Sequence, residues 1–212
     1  MGYPLDITLV PLSLFLTAGY HAYLWQRSKA KHPATTIGIT IKRRTKWIRT
    51  ILQEKKGMLG VQSLRNTLMS AILSATVAIL INTAMAALAN NAYNSSHLLR
   101  REVFGAQGGS TILVKYGSAS LLLLLSFLCS SMAVGTIIDA NFLINATGEL
   151  LHEQTEKMLK RGWVLATVGN RLLFSTLPFL LWLFGPVPLA VSSLVMVLAM
   201  YNLDFKCHGF NK

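Results

Sequence analysis

Residues 66–89 read NTLMSAILSATVAILINTAMAALA, an apolar run that contains no charged residue. A helix of this length crosses a bilayer hydrocarbon core of roughly 30 Å. Comparable apolar runs occupy residues 7–25, 112–138 and 163–203. The sequence therefore predicts an all-α, polytopic helical membrane protein with four transmembrane helices.

The last apolar run is too long for one straight crossing and is interrupted by FGPVP at residues 184–188. Two prolines in such a break remove amide donors and kink or end a helix. One long bent helix and two shorter helices both fit this pattern. Five spans are therefore an alternative to four, and the side of the C-terminus stays open.

The charges follow the order expected of a membrane protein. Of the 212 residues, 52% are hydrophobic and 13% charged, and eleven of the twenty Lys and Arg residues fall within residues 26–65. Cytosolic loops carry such an excess of basic residues, so this loop is expected in the cytosol, with the N-terminus and residues 90–111 on the lumenal or extracellular side and residues 139–162 cytosolic. The net charge of +12 is thus explained by topology, with a lipid bilayer as partner and no nucleic acid.

The basic loop contains a pattern typical of an amphipathic helix. Its apolar side groups Trp47, Ile48, Ile51, Leu52, Met58 and Leu59. Basic residues occupy the other faces, which suits a helix that lies on the anionic cytosolic leaflet. Packing against another cytosolic segment is the alternative.

The second span contains a stripe of small and polar residues that recurs at every fourth position: Asn66, Ser70, Ser74, Ala78, Asn82, Ala86 and Asn90. Small residues allow close helix packing, and amides bond between helices. The same groups are also suitable for lining a pore. Because four residues overshoot a helical turn by ~40°, about half of the stripe is expected to face one axis.

The acidic residue nearest to the membrane core is Asp139, at the cytosolic end of the third span and followed by Asn141. In a symmetric oligomer this carboxylate would form a ring that attracts cations. The alternative is an intramembrane ion pair with Arg171, about 12 Å inside the last apolar run. Candidate acids of a cytosolic vestibule are Glu149, Glu153 and Glu156, which also suit an ordinary solvated helix face.

Catalytic chemistry finds little support in the sequence. The eight acidic residues and five histidines show no spacing typical of a hydrolase, a phosphate-binding loop or a paired-histidine metal site. We therefore predict no enzymatic activity, no cofactor and no metal site.

Several segments resemble the plant members of a membrane family described as domain of unknown function 599. They are Tyr20-His21 with Leu24, Thr36-Ile37-Gly38, Arg44 with Trp47, VQSLRNTLM at residues 61–69, Arg161-Gly162, Arg171, LWLFGPVP at residues 181–188, Tyr201 and Asp204. The resemblance spans nearly the whole chain. It implies a helical membrane protein of about four spans, and it supplies no activity and no catalytic residue.

Two functions remain open. The first is a homo-oligomeric, cation-selective ion channel, for which a pentamer is one candidate assembly. The chain also resembles a plant-immunity protein with a calcium-permeable pore in the endoplasmic reticulum, although no particular motif carries that likeness. It implies calcium as a permeating cation, plant defence signalling as the role, and the endoplasmic reticulum or plasma membrane as the location. The second function is a non-conducting accessory or scaffold subunit of a larger membrane complex.

Overall fold

The computed structural model describes residues 3–30, 35–94, 109–144 and 149–205, and the regular elements within these ranges are all helical. They are α1 (Tyr3–Ser28), α2 (Thr36–Gln53), α3 (Gly57–Asn94), α4 (Gly109–Leu143), α5 (Glu149–Leu181) and α6 (Pro186–Phe205). A 3-10 turn, Trp182–Phe184, connects α5 to α6. The prediction of an all-α, polytopic membrane protein is confirmed.

Five of these helices, all but α2, are long and apolar enough to cross a membrane. The fifth of these helices is α6, which the proline-containing break separates from α5. Gly185 has a φ of 137°, a backbone conformation that favours glycine, and its amide donates to the carbonyl oxygen of Trp182 at 3.0 Å. Pro186 then begins α6, where its missing amide hydrogen costs no helical bond. The alternative of five apolar helices, with the last run divided at Gly185–Pro188, therefore describes the structure.

The central helices extend beyond the spans predicted from hydropathy. Helix α3 has 38 residues, which corresponds to roughly 57 Å, against about 30 Å of hydrocarbon. It begins at Gly57 rather than at residue 66, so Met58 and Leu59 belong to α3 and not to the amphipathic helix. The separation occurs at Lys55, whose φ of 54° interrupts the helix. The first turns of α3 consequently project past the hydrocarbon core.

Helix α2 packs on this projection. Its apolar residues Ile48, Ile51 and Leu52 are buried in a cluster that α3, α4 and α5 complete with Leu64, Ile137, Ala140, Ile144, Leu159 and Trp163. Thr35 caps the start of α2 by accepting a hydrogen bond from the Gly38 amide at 3.3 Å. Because the apolar face is covered by protein, packing replaces the expected position on the leaflet.

Among the described residues, helices α4 and α5 make the most extensive contact between any two elements. The buried positions of α4 recur at steps of three and four: Ala119, Leu123, Ser126, Ser130, Ala133, Ile137 and Ala140. Four of the buried positions of α5 recur at every seventh residue: Thr155, Gly162, Gly169 and Thr176. Small residues at heptad spacing allow two helices to approach closely over several turns. The Ser126 hydroxyl accordingly donates to the carbonyl oxygen of Gly169 at 2.7 Å.

The ends of α1 and α6 meet on one side of the bundle. The rings of Tyr23 and Phe205 lie 6.0 Å apart, and the Thr36 hydroxyl at the start of α2 donates to the carbonyl oxygen of Leu203 at 3.0 Å. At the opposite end, the Trp182 indole lies 3.4 Å from an Asp6 carboxylate oxygen and the buried Lys115 ammonium lies 5.7 Å from the centre of the Trp182 ring. Helix α6 therefore ends on the side that carries α2.

Candidate functional site

The predicted stripe on α3 divides between two environments. Ser74 and Ala78 are buried, and Asn82 is half-buried. Asn66, Ser70, Ala86 and Asn90 are exposed to the outside of the bundle or to a cavity. This division is expected, because each member of the stripe is rotated by ~40° around the helix axis relative to the one four residues before it, so the stripe cannot stay on one face.

The inner part of the stripe holds helices together. The Ser120 hydroxyl on α4 donates to the side-chain oxygen of Asn82 at 2.7 Å. The Ser74 hydroxyl donates to the carbonyl oxygen of Ser70, at 3.0 Å, within its own helix. Asn82 therefore links α3 to α4 within one subunit.

Asp139 lies on the outer surface of α4. Its side chain is exposed, as are Ser131 and Gly135 at the two preceding turns. Asn141 is half-buried, and its side-chain oxygen is enclosed without a hydrogen-bond partner among the described residues. The structure thus does not bring Asp139 and Asn141 to a common surface.

Two of the three predicted vestibule acids have basic partners. Glu153 pairs with Lys157 at 2.6 Å, one turn further along α5. Glu156 accepts two hydrogen bonds from Arg49 of α2, at 2.5 and 2.7 Å. This contact fastens α2 to α5 and raises the pKa of Arg49. The side chain of Glu149 lies outside the described residues.

Arg171 pairs with Asp204 of α6 and not with Asp139. One guanidinium nitrogen donates to Asp204 Oδ2 at 2.7 Å, and the second donates to Oδ1. The Tyr20 hydroxyl of α1 donates to Oδ2 at 2.5 Å. Asp204 is 1% exposed, so three helices meet at one buried carboxylate. The predicted Asp139–Arg171 pair is therefore corrected, because α6 and not α4 approaches Arg171.

A polar cavity of about 370 Å³ opens between α2, α3 and α5. Its lining residues are Arg44, Asn66, Thr67, Ser70, Trp163, Ala166, Thr167, Asn170 and Arg171. Arg44 lies 5.8 Å from the centre of the Trp163 ring, and desolvation lowers the pKa of its guanidinium. Two cations and several hydrogen-bonding side chains therefore share one cavity.

A second, apolar cavity of about 570 Å³ lies beside the first. It extends along α1 and α5 from Trp25 to Phe179, and Ile37 and Ile41 of α2 cover part of it. Thr167 and Arg171 line both cavities. The two spaces are thus neighbours on adjacent faces of α5.

Sequence reasoning did not select most of these residues as site residues. Arg44, Trp163 and Asn170 were not candidates, and Asp204 lies beyond the last apolar run. A signal was nevertheless present, because six residues that carry the family resemblance meet in the network and the polar cavity: Tyr20, Arg44, Asn66, Thr67, Arg171 and Asp204.

Among the residues that the structure describes, no group of three or more His, Cys, Asp and Glu side chains comes together that could hold a metal ion. The polar cavity, with its two arginines, has instead the chemistry of an anion site.

A family profile described as "Protein of unknown function, DUF599" matches residues 8–208. No curated protein and no solved structure matches the chain. The matched range covers nearly the whole chain, as the resemblance of the sequence predicted, and it includes the residues of the buried network and of both cavities. The chain belongs to the DUF599 family.

Proposed function

We propose that the chain is the subunit of a homo-oligomeric, cation-selective ion channel. The observation that carries this proposal is the outer face of α4, where Ser131, Gly135 and Asp139 lie exposed at successive turns. Polar groups at membrane depth are costly against lipid and are usually found against protein or water. Around a symmetry axis these positions would line a shared path that ends in a ring of carboxylates.

The remainder of the same face suits a gate. Toward the other end of α4 it presents Leu121, Leu124 and Leu128, each between 41% and 59% exposed. A ring of leucines can close a pore by excluding water. The proposed path therefore has an apolar constriction and a polar mouth with Asp139.

The proposed topology places the polar mouth in the cytosol. The charge excess of residues 26–65 supports a cytosolic position for this loop, with the N-terminus lumenal or extracellular. Five crossings would then leave the C-terminus in the cytosol. We propose a ring of identical subunits, with a pentamer as the candidate number.

Calcium permeability and a role in plant defence signalling are the more specific part of the proposal, with the endoplasmic reticulum or plasma membrane as the site. This part is supported by the resemblance to the plant-immunity protein WeiTsing, which forms a calcium-permeable pore in the endoplasmic reticulum. It would make this chain a plant protein of the same kind.

A non-conducting accessory or scaffold subunit is the second candidate. Gly117 and Gly135 favour it, because a Cβ added at either position would meet nothing within 4 Å. Open small-residue positions on an outer helix face suit the close approach of a helix from another membrane protein.

The experiment that separates the two candidates is purification of the full chain in detergent, followed by measurement of its oligomeric state and of currents in planar bilayers. A ring of subunits that conducts cations under a potassium or calcium gradient supports the channel. A silent monomer or dimer, recovered in a larger assembly only with another protein, supports the accessory subunit.

A further inference from the structure

The polar cavity is rich in hydrogen-bond donors, and only one of its two arginines has a carboxylate partner among the described residues. No carboxylate among the described residues pairs with Arg44. Asp204 and the Met200 sulfur accept from Arg171, but a guanidinium has five N–H donors and these contacts occupy them only in part. Asn66, Ser70 and Asn170 add amide and hydroxyl donors from two helices. A group with several acceptor oxygens would satisfy this set.

Trp163 adds a separate observation. It lines the polar cavity and is 1% exposed, and its indole nitrogen has no hydrogen-bond partner among the described residues. An indole N–H only donates, and a buried donor without an acceptor destabilises the fold. Trp163 therefore adds one more unused donor to the wall of the cavity.

The depth of the cavity matches a lipid headgroup. Asn66 and Ser70 lie 9 and 13 residues after the start of α3 at Gly57, which corresponds to about 14 and 20 Å along the helix. Arg65 is the last charged residue before the uncharged run, so these positions lie where polar surface gives way to hydrocarbon. A phosphate at this depth would meet both arginines.

The apolar cavity continues from this point toward the hydrocarbon core. It shares Thr167 and Arg171 with the polar cavity, and it is otherwise lined mainly by aliphatic and aromatic side chains such as Leu14, Leu122 and Phe179. A polar cavity next to an apolar cavity fits a ligand that has a charged headgroup and an apolar chain. We propose that the two cavities together bind one anionic phospholipid, with its phosphate between Arg44 and Arg171 and an acyl chain in the apolar cavity.

Native mass spectrometry of the full chain in detergent tests the headgroup. The probes are dioleoylphosphatidylglycerol and, as the zwitterionic comparison, dioleoylphosphatidylcholine. We expect the wild-type chain to retain the anionic lipid preferentially and Arg44→Gln to weaken its binding by roughly tenfold or more, because a charge-assisted hydrogen bond is lost. Arg43→Gln is the matched control, since Arg43 is exposed on α2 and lines neither cavity. Equal losses in both variants, or no preference in the wild type, would overturn the proposal.

A second pair of variants tests the acyl chain. Ala18→Phe adds bulk inside the apolar cavity, and Ala84→Phe adds the same bulk on the exposed surface of α3. We expect Ala18→Phe to weaken binding of the lipid severalfold and Ala84→Phe to leave it unchanged. If millimolar inorganic phosphate displaces the lipid in an Arg44-dependent manner and Ala18→Phe has no effect, the site holds free phosphate and the lipid assignment is overturned.

Discussion

Arg171 of α5 and Asp204 of α6 form a two-point ion pair at the boundary of the two cavities, with side chains that are 18% and 1% exposed. The pair joins two consecutive helices, and the Tyr20 hydroxyl connects α1, from the other end of the sequence, to the same carboxylate. The position of this contact fixes how α1, α5 and α6 are arranged.

Asp204→Asn should destabilise the protein strongly. The change keeps the size of the side chain but leaves the Arg171 guanidinium without a counter-charge, for which a loss of about 3 kcal/mol is expected. Thermal unfolding in detergent measures the effect. Glu153→Gln is the control, because this exposed partner of Lys157 should cost less than about 1 kcal/mol. Similar losses for both variants would show that the Asp204 pair has no special role.

Tyr20→Phe should have a smaller effect that depends on Asp204. The variant removes only the hydroxyl that donates to Asp204 at 2.5 Å, and hydrogen bonds to charged groups contribute roughly 1.5–3 kcal/mol. In the Asp204→Asn background the same change should cost clearly less, since the charged acceptor is gone. Additive losses in the double variant would contradict a shared network.

Gly169→Ala should destabilise the contact of α4 with α5. A Cβ at Gly169 would overlap the Ser130 hydroxyl and lie 3.1 Å from the carbonyl oxygen of Ser126, so an overpacking cost of about 1–3 kcal/mol is expected. Gly135→Ala is the control, because its Cβ would meet nothing within 4 Å and alanine favours the helix. Unfolding in detergent should therefore shift in opposite directions for the two variants.

Ile48→Ala should loosen α2. Ile48 is fully buried in the cluster at the projecting ends of α3, α4 and α5, and such truncations cost about 2–5 kcal/mol. Hydrogen exchange of the α2 amides should become faster in the variant, whereas Thr50→Ala on the exposed side of α2 should change it little. If the wild-type amides exchange rapidly in detergent and are protected only by anionic vesicles, then α2 lies on lipid and not on protein.

The helices could be predicted from the sequence because uncharged runs have few alternatives in a bilayer. The break at Gly185 was visible too, but whether it bends or divides the helix depends on the φ of one residue. The sequence could not show which side of α3 faces the core, because the positions of α4 and α5 determine that side. The seven-residue spacing of Thr155, Gly162 and Gly169 could have indicated the side of α5 that packs on α4. Asp204 gains its partners only because the end of α6 lies beside α1 and α5.

The most direct test of the proposed channel is the reversal potential of the purified chain in planar bilayers under a potassium chloride gradient, compared between the wild type and Asp139→Asn. We expect a cation-selective wild type and a variant whose reversal potential moves toward zero, because the ring of carboxylates is neutralised. Glu54→Gln removes an equal charge at an exposed position paired with Lys56, and it should leave the reversal potential unchanged. An unchanged potential in Asp139→Asn would remove Asp139 from the pore, and the absence of any current from a pure oligomer would contradict the channel itself.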